Sequence, residues 1–135
     1  MPSRRRSRQR ALQILFLWDS RRPAVDDAIN QYYDTLYSEE APERDRFVDA
    51  LVSGTVEHIQ EIDERISRHA SHWRIERMPV VDRNILRLAV YEMTHGGTPA
   101  PVTIDEALEL ARKFSGEESV VFVNGVLDAV RREMT

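Results

Sequence analysis

Arg4, Arg5, Arg6, Arg8 and Arg10 place five guanidinium groups within seven residues near the start of the chain, and the next eight residues, Ala11 to Trp18, are nearly all apolar. Guanidinium forks onto phosphate and stacks on base rings, so a run of this kind suits a polyanion such as a nucleic-acid strand. On a helix, Arg4 and Arg8 share one side and Arg6 and Arg10 the neighbouring side, which makes a broad cationic sleeve. These charges repel one another and oppose the helix dipole, so residues 1–10 are predicted to be frayed until phosphate neutralises them. The bland alternative is a solvated, solubilising terminus.

Other chemistry is weakly marked. Four histidines, His58, His69, His72 and His95, are scattered, and only His69 and His72 have i, i+3 spacing. No carboxylate accompanies them in the arrangement zinc proteases use, so neither a metal nor any other cofactor is expected. Cysteine is absent, which excludes disulfides, thiolate nucleophiles and thiolate metal sites. There is no glycine-rich phosphate loop and no serine in a strand-to-helix elbow. The acidic pairs Glu39-Glu40 and Glu117-Glu118 fall at helix starts or turns, where the dipole alone favours them. These features predict a binding protein and no enzyme.

The formal net charge of −4 conceals a strong polarity. Residues 1–22 carry seven arginines and one acid, Asp19, whereas the remaining chain carries 12 basic against 22 acidic residues. Of the 19 basic residues only Lys113 is a lysine. With 135 residues and 41% hydrophobic content, residues 1–135 are expected to form one domain with its own core. The basic-then-apolar start resembles a secretory signal, but Gln13 interrupts it, and Asp19, Arg21 and Arg22 follow with no small-residue cleavage site. No apolar stretch approaches the ~18 residues a bilayer span needs. A cytoplasmic protein without membrane contact is expected.

Apolar residues recur at helical spacing almost throughout, and no stretch alternates long enough for a half-buried strand. The spacing predicts about seven helices in two small packed bundles, an all-α fold. The first runs from Ser3, a possible cap, to Ser20 before Pro23. A second covers about 25–37 with Val25, Ile29, Tyr32 and Leu36 on one face. Pro42 suits the first turn of a third carrying Phe47, Val48, Leu51, Val52 and Val56, within which Gly54 implies close backbone packing. Ile59, Ile62 and Ile66 mark a fourth, followed by a linker from His72 to Met78. The fifth spans Pro79 to His95 and stops at Gly96-Gly97. Thr103 with Glu106 reads as a capping box for a sixth, and Ser119 as the cap of a seventh.

Four blocks carry a resemblance: Arg4-Arg5-Arg6-Ser7-Arg8 leading into Ala11-Leu12-Gln13 and Trp18; Val81 to Ala89 with Tyr91-Glu92; Ile104-Asp105-Glu106-Ala107 with Glu109-Leu110-Ala111; and Phe122 to Asp128. In this order, over essentially the whole chain, they resemble the NusB family of bacterial transcription antitermination factors. The resemblance implies a helical factor without catalytic activity that pairs with NusE, a small-subunit ribosomal protein. Together the two bind single-stranded boxA RNA in nascent transcripts such as ribosomal RNA leaders, within the RNA polymerase antitermination complex. It implies RNA-facing roles for Arg4, Arg5, Arg6, Arg8, Arg10, Gln13, Glu118, Phe122 and Asn124, and a NusE-facing side at Phe16 and Asp82. From the residues alone, Phe122 and Phe16 read as core, Asn124-Gly125 as a tight packing site, and Asp82 as an acid satisfied by a helix dipole.

Two departures stand out. Val120-Val121 precede Phe122 where relatives commonly carry a basic residue, and Asp105 stands where they usually have Asn. An apolar patch meant for NusE also makes a homodimer possible. Two other classes fit the pattern: a helical protein-interaction module without RNA affinity, and the accessory domain of an RNA methyltransferase.

Overall fold

The computed structural model describes residues 3–35, 44–70 and 73–134. Among them are seven α-helices and no strand: α1 Arg4–Arg21, α2 Val25–Thr35, α3 Arg46–Glu57, α4 Ile59–His69, α5 Val80–Thr94, α6 Ala100–Phe114 and α7 Glu117–Glu133. A short 3₁₀ turn, Ile75–Arg77, sits in the expected linker. The start of α1 is set by Ser3, whose hydroxyl accepts the Arg6 N–H at 3.1 Å. Its end is set by Arg22, which takes a left-handed conformation (φ 49°) just before Pro23.

Three helix starts differ from the sequence expectation. The N-cap of α3 is Asp45, whose carboxylate accepts the Phe47 N–H at 2.9 Å; Pro42, like Leu36 of the second predicted face, lies outside the described residues. Helix α6 starts at Ala100 behind Pro99, so Thr103 is a buried residue of its first turns and not a cap. Pro101 explains the shift, because fixed φ favours the first helical turn and its missing N–H is not needed there. Likewise α7 begins at Glu117, and the Ser119 hydroxyl pairs with that of Ser115 and caps no amide.

Helices α1, α2 and α3 pack on one another, and α4, α6 and α7 pack with α5, which also touches α1 and α3. Helix α5 therefore belongs to both groups, and Ile85, Leu86, Leu88 and Val90 along it are almost fully buried. The expected close approach at Gly54 is present: a Cβ there would lie 2.2 Å from the Tyr91 Cζ.

The buried face of α5 is also charged. Arg87 is 2% exposed, and its guanidinium donates to both Asp63 oxygens at 2.9 and 3.0 Å and to the Asn84 carbonyl oxygen at 3.1 Å. It also lies 3.2 Å from Asp19 of α1. The second Asp19 oxygen accepts from Arg83 at 2.6 Å and from Asn84 at 3.2 Å. Burial alone would raise the Asp19 pKa, but hydrogen bonds from Arg83 and Arg87 and their charges hold it below the ordinary carboxylate range. This network joins α1, α4 and α5.

Truncation of Arg87 strips Asp63 of its two-point partner and Asp19 of one of its two arginines, so Arg87→Ala should cost about 3 kcal/mol of stability, the low end for breaking a buried pair, read as a fall in the urea midpoint. A loss below about 1 kcal/mol would mean that water already screens the network. The Asp19 pKa is depressed on folding, so its contribution is complete above the unfolded value near ~3.9 and disappears as pH falls through the folded value. The urea midpoint of the parent chain should accordingly drop below about pH 4, and that of Asp19→Asn should drop less steeply.

Candidate nucleic-acid interface

The five N-terminal arginines do not act alike. Arg8 is 7% exposed and forms a bidentate pair with Glu92 of α5, Nε to Oε2 at 2.9 Å and Nη2 to Oε1 at 2.8 Å. Its expected place in the cationic sleeve is thereby corrected: it faces the interior because position 8 follows the buried arc of Ser7, Ala11 and Leu15. Thr98 donates to the same Glu92 oxygen at 3.3 Å, and Ser7 donates to Asp45 of α3. Held by these contacts and the Ser3 cap, Arg4 to Arg10 are helical in this structure, where charge alone predicts fraying.

Arg4, Arg5, Arg6 and Arg10 remain accessible. Arg4 stacks over Phe47 with its Cζ 3.9 Å from the ring centroid. Arg5 makes a two-point pair with Glu106 of α6 at 3.2 and 3.1 Å, a solvent-exposed bridge that water screens and that contributes little. Arg6 and Arg10 have no acidic partner among the described residues, and their charges reach Tyr32 of α2. Burial pushes the Tyr32 phenol above its ordinary pKa, partly against those charges, and its hydroxyl donates to Gln13 Oε1 at 2.6 Å. That bond orients the exposed Gln13 amide with its NH2 facing outward from the acceptor. Arg6, Arg10 and Gln13 stand at i, i+4 and i+7 on one strip of α1.

The opposite edge of α1 reaches α6, where Lys113 Nζ donates to Gln9 at 3.2 Å. Sequence reading passed over both residues; a lysine in the last turn of a helix, near the dipole's negative end, was the available signal. From Lys113 the chain passes through Gly116 into α7, whose first turn carries the exposed Glu118.

Further along α7, Phe122 is half-buried and meets Trp73 edge-on at 6.5 Å between centroids. The two rings border a shallow groove with His69, Ala70, Val121 and Gly125. Asn124 is exposed on the far side of the helix from Phe122, so the groove does not bring these two together. Val121, 73% exposed, presents an apolar surface where a basic residue was the expectation. The reading of Gly125 as a packing site is also corrected: a Cβ there would meet nothing within 4 Å.

Phe16 is 46% exposed, which corrects its reading as core. Asp82 is only 4% exposed and its Oδ1 has no hydrogen-bond partner among the described residues, so it is not the open surface acid a partner-facing position implies. The pairing of Asp19 with Arg83 and Asn84 sets both residues at the same end of the α1–α5 pair.

A sequence model of the NusB family matches residues 5–132. The chain belongs to the NusB family. It is 81% identical over 134 residues to the transcription antitermination protein NusB of Solibacter usitatus (strain Ellin6076), covering 99% of this chain and 92% of that protein. The corresponding protein of Koribacter versatilis (strain Ellin345) is 46% identical over 133 residues, 98% of this chain and 90% of its own length. Among solved structures, T. maritima NusB superposes with a TM-score of 0.84 at 36% identity, covering 98% of this chain and 92% of that one. A chain from a crystal structure of antitermination factors NusB and NusE in complex with dsRNA gives 0.83 at 29% identity, with 96% of each chain covered. The all-α fold is that of the NusB structures.

Within this NusB-family chain Gly125 remains costly. An exposed glycine in the middle of a helix loses about 0.5–1 kcal/mol relative to alanine, and no neighbour requires it. Gly125→Ala should therefore raise unfolding stability by about that amount in urea titration. Loss of stability instead would show that the position serves the fold.

Proposed function

We propose that this chain is a transcription antitermination factor that, paired with the ribosomal protein NusE, holds single-stranded boxA-type RNA of nascent transcripts and so helps RNA polymerase pass terminators. Membership of a family whose relatives are named for antitermination supports the reading, and a similar solved chain crystallised with NusE and dsRNA supports the partner and the RNA class. The role requires no catalysis. The observation that carries it is the strip of Arg6, Arg10 and Gln13, cationic and accessible, with Arg6 and Gln13 exposed and Arg10 partly so, on an otherwise acidic body.

The mechanism follows from the chemistry of the strip. Arg6 and Arg10 engage successive phosphates, Arg4 stays accessible above Phe47, and Arg5 exchanges Glu106 for phosphate at small cost. Lys113 extends the track toward α7. Gln13 supplies amide donors to an unpaired base edge, while Glu118 and Phe122, one turn apart on the same face of α7, offer an acceptor and a ring for stacking, and Asn124 acts separately from the other side of that helix. Gly125 lets a backbone or base approach α7 closely. Arg8 acts from below by fixing the helix that carries the others.

NusE occupies the face bearing Phe16 and Leu17, 46% and 40% exposed, with Asp82 buried beneath it and out of direct reach. In the absence of NusE the same apolar pair is the surface through which two copies would associate.

A gel-shift titration of the chain with NusE, using boxA RNA and a scrambled strand, tests the reading. The pair should shift boxA RNA more than either protein alone, and more than it shifts the scrambled strand. The double substitution Arg6→Ala with Arg10→Ala removes two phosphate contacts, so the slope of log K against log salt should flatten by roughly 1.4, at ~0.7 per contact. Equal affinity for both strands would leave only nonspecific cationic binding, and a slope indifferent to the substitutions would remove the arginine strip from the interface.

A further inference from the structure

His58, Glu61 and His95 converge where α3 meets α4 and α5 ends. His58 is the junction residue between α3 and α4, Glu61 lies in the first turn of α4, and His95 closes α5. One nitrogen from each imidazole and one carboxylate oxygen all lie within 4.8 Å of one another. His95 Nε2 is 3.3 Å from Glu61 Oε2, and His58 Nδ1 is 3.9 Å from the same oxygen. The two imidazoles stack with centroids 3.9 Å apart and planes at 11°, and Tyr91 flanks His95 at 5.9 Å.

We propose that these three side chains bind a borderline divalent transition-metal ion, Zn²⁺ by class. Bonds of ~2.0–2.1 Å at tetrahedral angles space ligand atoms about 3.3–3.5 Å apart. The His95–Glu61 separation of 3.3 Å already fits; the lone pairs of two near-parallel stacked rings cannot meet at one ion, so binding turns one imidazole out of the stack, which also closes the 3.9 Å to His58. The side chains are 34% (His58), 45% (Glu61) and 31% (His95) exposed, which leaves room for that movement and for water in the fourth position. Two imidazoles with one carboxylate select Zn²⁺, Ni²⁺ or Cu²⁺ over Mg²⁺ and Ca²⁺, which prefer oxygen ligands.

Two further features orient the donors. Arg65 Nε lies 3.6 Å from Glu61 Oε1, an ion pair longer than a hydrogen bond that places positive charge beside that oxygen, while Oε2 is the oxygen nearest the histidines. The Tyr91 ring, itself packed against Gly54, backs the imidazole pair. An ion here would tie the α3–α4 junction to the C-terminal end of α5, the helix shared by both helix groups.

Calorimetric titration of the untagged full-length chain with ZnCl2, and with MgCl2 in parallel, tests the site. Zn²⁺ should bind one to one, and Co²⁺ in its place should give the visible absorption of a low-coordinate ion. At about a hundredfold excess over Kd the melting temperature should rise roughly 5–10 °C. His58→Gln, His95→Gln and Glu61→Gln should each weaken Zn²⁺ at least about tenfold with the far-ultraviolet dichroism unchanged, whereas His69→Gln should not. In proton spectra the ring signals of His58 and His95 should move together with the first equivalent of Zn²⁺. The proposal is overturned by unsaturable binding, by equal response to Mg²⁺, by binding that survives loss of both histidines, or by signals that move at His69 instead.

Discussion

Two buried guanidinium–carboxylate pairs between α1 and α5 fix the geometry on which every other feature rests. Arg8 with Glu92 near one end and Asp19 with Arg83 and Arg87 near the other hold the helices antiparallel. Burying such charges costs solvation, and apolar side chains of equal volume would serve stability as well or better. What ion pairs add is register: two apolar faces can slide by a turn, whereas a two-point fork on a carboxylate tolerates no such slip. With both ends pinned, the rotation of α1 about its own axis is set, and with it which arginines face out.

That constraint resolves the apparent uniformity of the N-terminal cluster. Identical residues within two helical turns divide into an anchor, Arg8, a ring-stacked cation, Arg4, a weakly paired one, Arg5, and two unpaired among the described residues, Arg6 and Arg10. The division follows from angular position and, for Arg4 and Arg8 on the same side, from depth along the helix, since Arg4 lies in the first turn and Arg8 opposite Glu92. Positions 8, 11, 12 and 15 share the inward arc, while 6, 10 and 13 share the outward one. Mutating the cluster wholesale would therefore confound two effects, loss of phosphate contacts and loss of the α1–α5 register.

The number of helices, their order, the Gly96-Gly97 break and the contact at Gly54 were legible because they depend on short-range periodicity and on residues with special backbone behaviour. Starts of α6 and α7 were misplaced because prolines and a glycine competed with the hydroxyl caps and won. Burial of Arg8, Arg87 and Glu92 was not legible. A charged residue in a helix reads as solvated unless its partner is known, and each partner here comes from another helix. The histidine cluster was hidden for the same reason, since His58 and His95 become neighbours only when α5 lies against the α3–α4 junction. The NusB resemblance supplied residue roles that periodicity could not, yet it did not distinguish Arg8 from its neighbours or foresee that Asp82 is buried.

A pre-formed α1 changes how affinity for a polyanion is composed. Had residues 4–10 been unstructured, each would lose backbone freedom on binding, at roughly 1–2 kcal/mol per residue, and much of the electrostatic gain would be consumed in ordering the strip. Here the fold meets that cost beforehand, through the Ser3 cap, the Ser7–Asp45 bond and the Arg8–Glu92 fork. The repulsion among Arg4, Arg5, Arg6 and Arg10 is then held in the free protein, moderated by Phe47 and Glu106, and relieved when phosphates arrive. Rigidity at one arginine thus makes the others more effective, and the tension between like charges on a fixed helix becomes part of the driving force for capture.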